Sequence, residues 1–147
     1  MPLLYFEDIK TDISVLLSPI LLTQEMRNRH IDLYGEDWPD ELSEYPREIG
    51  IVPAPMAISA IAGKMGEANW LRVNFMKQFF AKFHTPLYVG DTITAINTVK
   101  RKMAHIDSTK DFGYVFVQQD VFNQKKVLAF ERRLCYTVYC RPFPYQP

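Results

Sequence analysis

An acidic, turn-rich segment holds the side chain with the clearest chemical potential. Asp37 lies in the stretch Leu33–Pro39, and the chain stays acidic and turn-rich from Glu36 to Gly50. Connecting segments of this length commonly carry function. Carboxylates exchange protons with water and substrates in many enzymes, so Asp37 is a candidate general acid or base. The alternative is that Asp37 only caps a turn.

The three histidines are the other side chains that can transfer protons near neutral pH. His30 falls on the apolar face of a predicted helix, which favours a packed, hydrogen-bonded ring. His84 lies where a predicted strand ends, and His105 stands near Asp107 in a predicted turn. Both of these are expected at the surface.

A backbone amide is the second candidate group. Pro53, Ala54 and Pro55 lie where a helix is expected to begin. Proline has no N–H, so Ala54 supplies the one donor at this point. The alternative is that the two prolines only make the start of the helix rigid.

Two predicted helices must position these groups. Thr23 is a good N-cap for a helix that runs to about Tyr34. Its apolar face is expected to carry Met26, His30, Leu33 and Tyr34. A second helix is expected from Pro55 to Met65. This helix is apolar nearly all round, which predicts that it is buried.

The remaining segments read as strands. They are Trp70–Phe83, Thr92–Val99, Phe112–Phe122 and Val127–Cys140. Apolar residues alternate along them, as at Val115 and Val117, which is typical of antiparallel strands with one buried face. Antiparallel strands and a buried helix predict an α+β fold. The length of 147 residues predicts a single domain over 1–147.

Charge and cysteine content limit the classes of partner. Seventeen basic residues balance 17 acidic ones, which argues against a nucleic-acid partner. The run Lys100–Lys102 is expected to be a solvated strand end, with a phosphate contact as the alternative. Cys135 and Cys140 should lie on opposite faces of a strand, and no metal-type spacing occurs. Unpaired cysteines fit a cytoplasmic setting, and neither a signal peptide nor a membrane span is expected.

Several segments, in this order and spacing, resemble one protein family. They are Tyr5–Ile9, Thr23–Gly35, Leu33–Pro39, Ile51–Met56, Pro86–Ile93 and Phe122–Gln124. Together they are similar to the MaoC-like (R)-enoyl-thioester hydratases and dehydratases. The resemblance implies the hot-dog fold, in which a curved antiparallel sheet wraps a long central helix. It also implies that Tyr5–Ile9 forms the opening strand.

The resemblance implies a reaction, the reversible addition of water across the double bond of an enoyl thioester. In that family an Asp and a His hold the water, so Asp37 would be the catalytic carboxylate. The backbone N–H of Ala54 would stabilise the thioester oxyanion. The implied ligand is an acyl-CoA or acyl-carrier thioester, and no cofactor is implied. The acyl tunnel would lie at an interface with a second copy or with another hot-dog chain.

One position departs from the family pattern. The family places a His five residues after its Asp, where this chain has Leu42. An active hydratase or dehydratase would therefore pair Asp37 with another base. A second interpretation is a non-catalytic hot-dog half that shapes the acyl tunnel for a catalytic partner. An acyl-CoA thioesterase ranks third, because the helix segment Met56–Gly66 contains no acid.

Overall fold

The structure is a computed structural model that describes residues 3–34, 50–68 and 71–142. Two short strands that the sequence did not indicate precede the first helix. In chain order the elements are a 3₁₀ turn (Phe6–Asp8), β1 (Ser14–Leu16), β2 (Ile20–Leu21), α1 (Gln24–Tyr34), α2 (Ala54–Ala68), β3 (Val73–Phe83), β4 (Thr92–Ala104), β5 (Phe112–Phe122) and β6 (Leu128–Tyr139).

The strands form one antiparallel sheet in the order β1–β4–β5–β6–β3, and β2 also pairs with β4. On β5 every second residue from Gly113 to Val121 is buried. We call this side of the sheet the inner face. The outer face carries the residues between them, such as Phe116 and Gln118. The predicted alternation and the α+β class are confirmed.

Helix α2 packs on the inner face near one end of the sheet. It buries Met56, Ala57 and Ile61 against sheet residues that include Phe130. Each large apolar side chain buried in this way contributes about 1.5–3 kcal/mol. The prediction that this helix is buried is confirmed for one side of it only, because the sheet covers only that side. Among residues 54–64 the exposed ones are Pro55, Ser59, Ala62 and Gly63.

A second apolar cluster fills the other end of the inner face, beneath the N-terminal segment. It includes Ile9, Leu71, Val99, Leu134 and Val138. The Phe6 ring lies where a β-carbon on Gly113 would collide with it, so the sheet has a glycine at that position. The prediction of an opening strand at Tyr5–Ile9 is wrong. The segment turns instead, with the Asp8 N–H donating to the Tyr5 carbonyl oxygen at 3.0 Å.

A row of polar side chains separates the two apolar clusters. Asn97, Gln119 and Arg132 occupy paired positions on β4, β5 and β6, and all three are buried. Arg132 Nε donates to Gln119 Oε1 at 2.6 Å, and Gln119 Nε2 donates to Asn97 Oδ1 at 2.7 Å. Buried polar groups are costly unless they are hydrogen-bonded, so this buried polar row favours one register of the three strands.

Helix α1 begins as predicted. The Met26 N–H donates to Thr23 Oγ1 at 3.1 Å, which confirms Thr23 as the N-cap. Met26 is partly buried and His30 is buried, but Leu33 is 75% exposed, so its predicted place on the packed face is wrong. Within the described part of the chain, contacts from this short helix come only from a narrow stripe.

Candidate active site

The segment that leads into α2 is held from two sides. The Val52 N–H donates to the Leu87 carbonyl oxygen at 2.8 Å, and Ile51 forms a β-bridge with Tyr88. From α1, Arg27 Nε donates to the Ile51 carbonyl oxygen at 2.7 Å. These bonds fix where the helix starts and in which direction its first amides lie.

Ala54 is the first residue of α2, and its amide differs from the following ones in its hydrogen bonding. The Pro53 carbonyl oxygen accepts from the Met56 N–H at 3.0 Å and from the Ala57 N–H at 3.2 Å. Pro55 has no N–H to donate. Within the described residues no hydrogen bond uses the Ala54 N–H. The helix start therefore presents one backbone donor, at the positive end of the helix dipole.

Asp37 lies outside the described residues, and so does the position of Leu42. The undescribed segment 35–49 connects the end of α1 to Gly50, just before the start of α2. The prediction that Asp37 is catalytic therefore remains a prediction. The structure describes the Ala54 end of the candidate site and the two helices that flank the segment bearing Asp37.

The three histidines occupy separate environments. His30 is buried on α1, as predicted. His84 Nε2 lies 3.0 Å from Glu131 Oε2, and this hydrogen bond lowers the pKa of the Glu131 carboxyl. The His105 ring stacks on Tyr114 with centroids 5.7 Å apart. His105 follows the end of β4 that pairs with the start of β5, at the opposite end of the sheet from the start of α2.

The basic run Lys100–Lys102 does not form one patch. A register shift between Val99 and Arg101 interrupts the alternation of β4. Lys100 and Arg101 consequently lie on the outer face, whereas Lys102 Nζ donates to the Phe6 carbonyl oxygen at 3.1 Å. The prediction that this run is solvated therefore holds for Lys100 and Arg101, which are exposed, but not for Lys102.

The two cysteines are free thiols. Cys135 is buried on β6, and Cys140 lies just beyond the end of that strand and is partly buried. Burial raises the pKa of both thiols, so neither is an activated nucleophile. In the described parts of the chain no group of three or more metal-type ligands occurs.

Searches of known proteins identify the fold. No family model matches the sequence, and no curated protein matches it. Among solved structures, a monoamine oxidase regulatory protein from an Archaeoglobus archaeon has a TM-score of 0.81 at 19% identity, covering 95% of this chain and 97% of that one. A MaoC-like dehydratase from Rhodospirillum rubrum has a TM-score of 0.77 at 14% identity, covering 95% and 99%.

A third similar structure is a Mycobacterium tuberculosis protein with a double hotdog fold. Its TM-score is 0.79 at 15% identity, and the match covers 99% of this chain but only 46% of that one. The protein has the hot-dog fold of the MaoC-like proteins. The predicted fold is thereby confirmed, with α2 as the central helix of the hot-dog. This chain corresponds to about half of the double hot-dog.

The sequence did not indicate two features of the sheet, namely the buried polar row and a groove on its outer face lined by Phe80, Lys100 and Phe116. The alternation of Asn97 with apolar inner-face residues was the available signal for the row. The groove depends on side chains from several strands. No helix among the described residues has the length and apolar character needed to cross a membrane.

Proposed function

We propose that this hot-dog protein binds acyl thioesters and carries out enoyl-thioester hydration and the reverse dehydration. The observation that carries the proposal is the Ala54 amide, which the fold holds at the start of the central helix with no acceptor among the described residues. A thioester carbonyl placed there would receive a hydrogen bond that strengthens as its oxygen becomes negative. Coenzyme A and a carrier protein are both suitable carriers of the acyl chain.

Asp37 supplies the proton chemistry in this proposal. In hydration, water adds to the β-carbon of the enoyl thioester and a proton is delivered to the α-carbon. A carboxylate that holds the water accepts one proton from it, and the resulting acid can supply the α-proton. The reverse sequence dehydrates a 3-hydroxyacyl thioester. Because the family His position is Leu42, Asp37 is the residue whose substitution tests the proposal.

A second chain is part of the proposal. β3 is an edge strand of the sheet. Its inner-face residues Val73, Met76, Phe79 and Phe83 are each between 40% and 47% exposed. A long apolar edge strand is a template for pairing with another chain. We propose that a second copy, or another hot-dog chain, covers this edge.

The decisive experiment is hydration of crotonyl-CoA by the purified protein, followed by loss of the enoyl-thioester absorbance. We expect turnover that Asp37→Asn abolishes. Asp32→Asn is the matched control, since Asp32 is exposed on α1. Turnover that does not depend on Asp37, or no turnover with short and long acyl chains, would refute the catalytic role.

Leu42 favours one alternative function, a non-catalytic hot-dog subunit that shapes the acyl tunnel of a catalytic partner. Such a subunit would bind acyl-CoA without turnover and would restore activity when mixed with a hot-dog chain that carries the Asp–His pair. A thioesterase is the third candidate. Release of free thiol from acyl-CoA, measured with a thiol reagent in the same assay, separates it from the other two.

A further inference from the structure

The outer face of the sheet carries a groove that the acyl chemistry does not use. Its volume is about 820 Å³, which lies within the range of small-molecule sites. The residues that matter for its chemistry are Phe80, Lys100, Phe116, Gln118, Arg133 and Cys135. They come from β3, β4, β5 and β6, so the groove exists only in the assembled sheet.

Two aromatic side chains stand on either side of the groove. Phe80 on β3 is 50% exposed, and Phe116 on β5 is partly exposed. β6 lies between these strands, so their backbones are roughly 10 Å apart. Cys135 of β6 pairs with Phe116 and belongs to the floor between them. Exposed aromatic rings offer faces on which a flat ring system can stack.

Cations accompany the aromatic rings. The Arg101 guanidinium lies 4.3 Å from the centre of the Phe116 ring, and that of Arg133 lies 5.6 Å from the Phe80 ring. Lys100 also lines the groove. Arginine on an aromatic face and lysine nearby form a combination that binds phosphate groups.

The thiol of Cys135, on the floor of the groove, also lies close to positive charges. Burial raises the pKa of the Cys135 thiol, and the charges of Lys77 and Arg101 oppose that rise. Lys77 Nζ lies 4.8 Å from the centre of the Tyr114 ring and 3.4 Å from its hydroxyl oxygen. Cationic groups from β3 and β4 therefore surround the middle strand of the groove.

Two of the described carboxylates, those of Glu131 and Asp120, border the groove beside Gln118. Glu131 is hydrogen-bonded to His84, and the pKa of its carboxyl is lowered by that bond, by a hydrogen bond from Gln118 and by the charge of Arg133. Asp120 Oδ1 accepts from Gln118 Nε2 at 3.0 Å. Among the described lining residues no acid occurs. The groove is therefore complementary to an anion.

We propose that this groove binds a free nucleotide, with the base against Phe80 and Phe116 and the phosphates on Lys100 and Arg133. The groove and the Ala54 amide lie on opposite faces of the sheet, which argues against the nucleotide end of a bound acyl-CoA. A second copy meeting this face symmetrically would oppose like charges, which argues against a dimer contact. The proposed site is separate from the acyl site.

The test is calorimetric titration with adenosine 5′-diphosphate, and with adenosine and pyrophosphate as half-ligands. We expect the diphosphate to bind at least about tenfold more tightly than either half, since both the base and the phosphates contribute. Its affinity should fall as salt is added. Absence of binding, or pyrophosphate binding as tightly as the nucleotide, would overturn the proposal.

Variants locate the site. Phe80→Ala and Arg133→Gln should each weaken nucleotide binding by about tenfold. Lys82→Gln is the matched control, because Lys82 lies on the same strand and outer face but outside the groove. Circular dichroism confirms that each variant is folded. Equal affinity in all three variants would overturn the proposal, as would self-association that only the groove variants disrupt.

The nucleotide proposal and the acyl proposal fail independently. Phe80→Ala and Arg133→Gln should leave crotonyl-CoA hydration unchanged, and Asp37→Asn should leave nucleotide affinity unchanged. Amide shifts of Phe116 and Cys135, followed by NMR, should move on adding the nucleotide while that of Ala54 does not. Movement of Ala54 instead would place the nucleotide at the acyl site and contradict the proposal.

Discussion

Ala54 supplies the one backbone donor at the start of α2 that bonds to no acceptor among the described residues. The Pro53 carbonyl oxygen accepts from the Met56 and Ala57 N–H groups, and Pro55 has no N–H. The Ala54 N–H is therefore the donor that remains at the positive end of the helix dipole. Ala54 itself has no reactive side chain. Its proposed role therefore depends on the helix start being held by Arg27 and Val52 rather than on residue type.

We expect Ala54→Pro to remove the donor and lower the rate of crotonyl-CoA hydration by about 10²–10³-fold. Proline is well tolerated at the first position of a helix, so thermal stability should change little. Ala54→Gly keeps the amide and should retain most of the activity, which makes it the control. Full activity in Ala54→Pro would leave only the alternative that Pro53 and Pro55 stiffen the helix start.

The buried polar row joins three neighbouring strands, β4, β5 and β6. Gln119 links Arg132 on β6 to Asn97 on β4, and its removal would leave buried donors and acceptors on both sides with fewer bonds. We expect Gln119→Leu to lower the free energy of unfolding by about 3 kcal/mol. Gln118→Leu on the outer face should cost much less. Urea denaturation of the two variants measures the difference, and equal losses would show that the row contributes no special stability.

The two ends of the described fold are joined by an ion pair. Arg141, beyond β6, contacts Asp8 in the N-terminal turn, and the hydrogen bond from Arg141 lowers the pKa of the Asp8 carboxyl below its ordinary value of 3.8. A carboxyl whose pKa is lowered on folding stabilises the native state above its unfolded pKa. That stabilisation is lost as the pH falls through the native pKa.

We therefore expect Asp8→Asn to be less stable than the parent protein at pH 6, with the difference shrinking below about pH 4. Thermal unfolding between pH 3 and 7 provides the measurement. Asp12→Asn, an exposed neighbour, serves as the control. A stability difference that stays constant across the whole range would mean that the ion pair is not its source.

At the scale of the whole molecule, we expect edge strand β3 to set the oligomeric state of the protein in solution. Its inner-face residues Val73, Met76, Phe79 and Phe83 are apolar but 40–47% exposed, although the same face of β5 is almost fully buried. We expect the protein to be a dimer by light scattering. Phe79→Lys should weaken the dimer at least a hundredfold by burying a charge in the contact. Phe75→Lys, on the outer face of the same strand, is the control, and equal effects would place the contact elsewhere.

The sequence by itself determined the helices, the strand alternation and the α+β class, because these follow from local spacing and from N-cap and turn residues. Thr23 caps α1, and Val115 and Val117 share the inner face, as predicted. It also determined that Ala54 is the lone donor between two prolines, because the missing N–H of proline is a covalent fact.

Only the tertiary structure decided which surfaces meet. The register shift after Val99 places Arg101 on the outer face and Lys102 on the inner face, which no sequence period indicates. The prediction for Leu33 was wrong. Helical spacing shows which residues share a face of α1, but it does not show how much of that face packs against the sheet. The buried row and the outer groove join residues more than ten positions apart. Their existence depends on strand order and register, which pairing over long sequence distances sets.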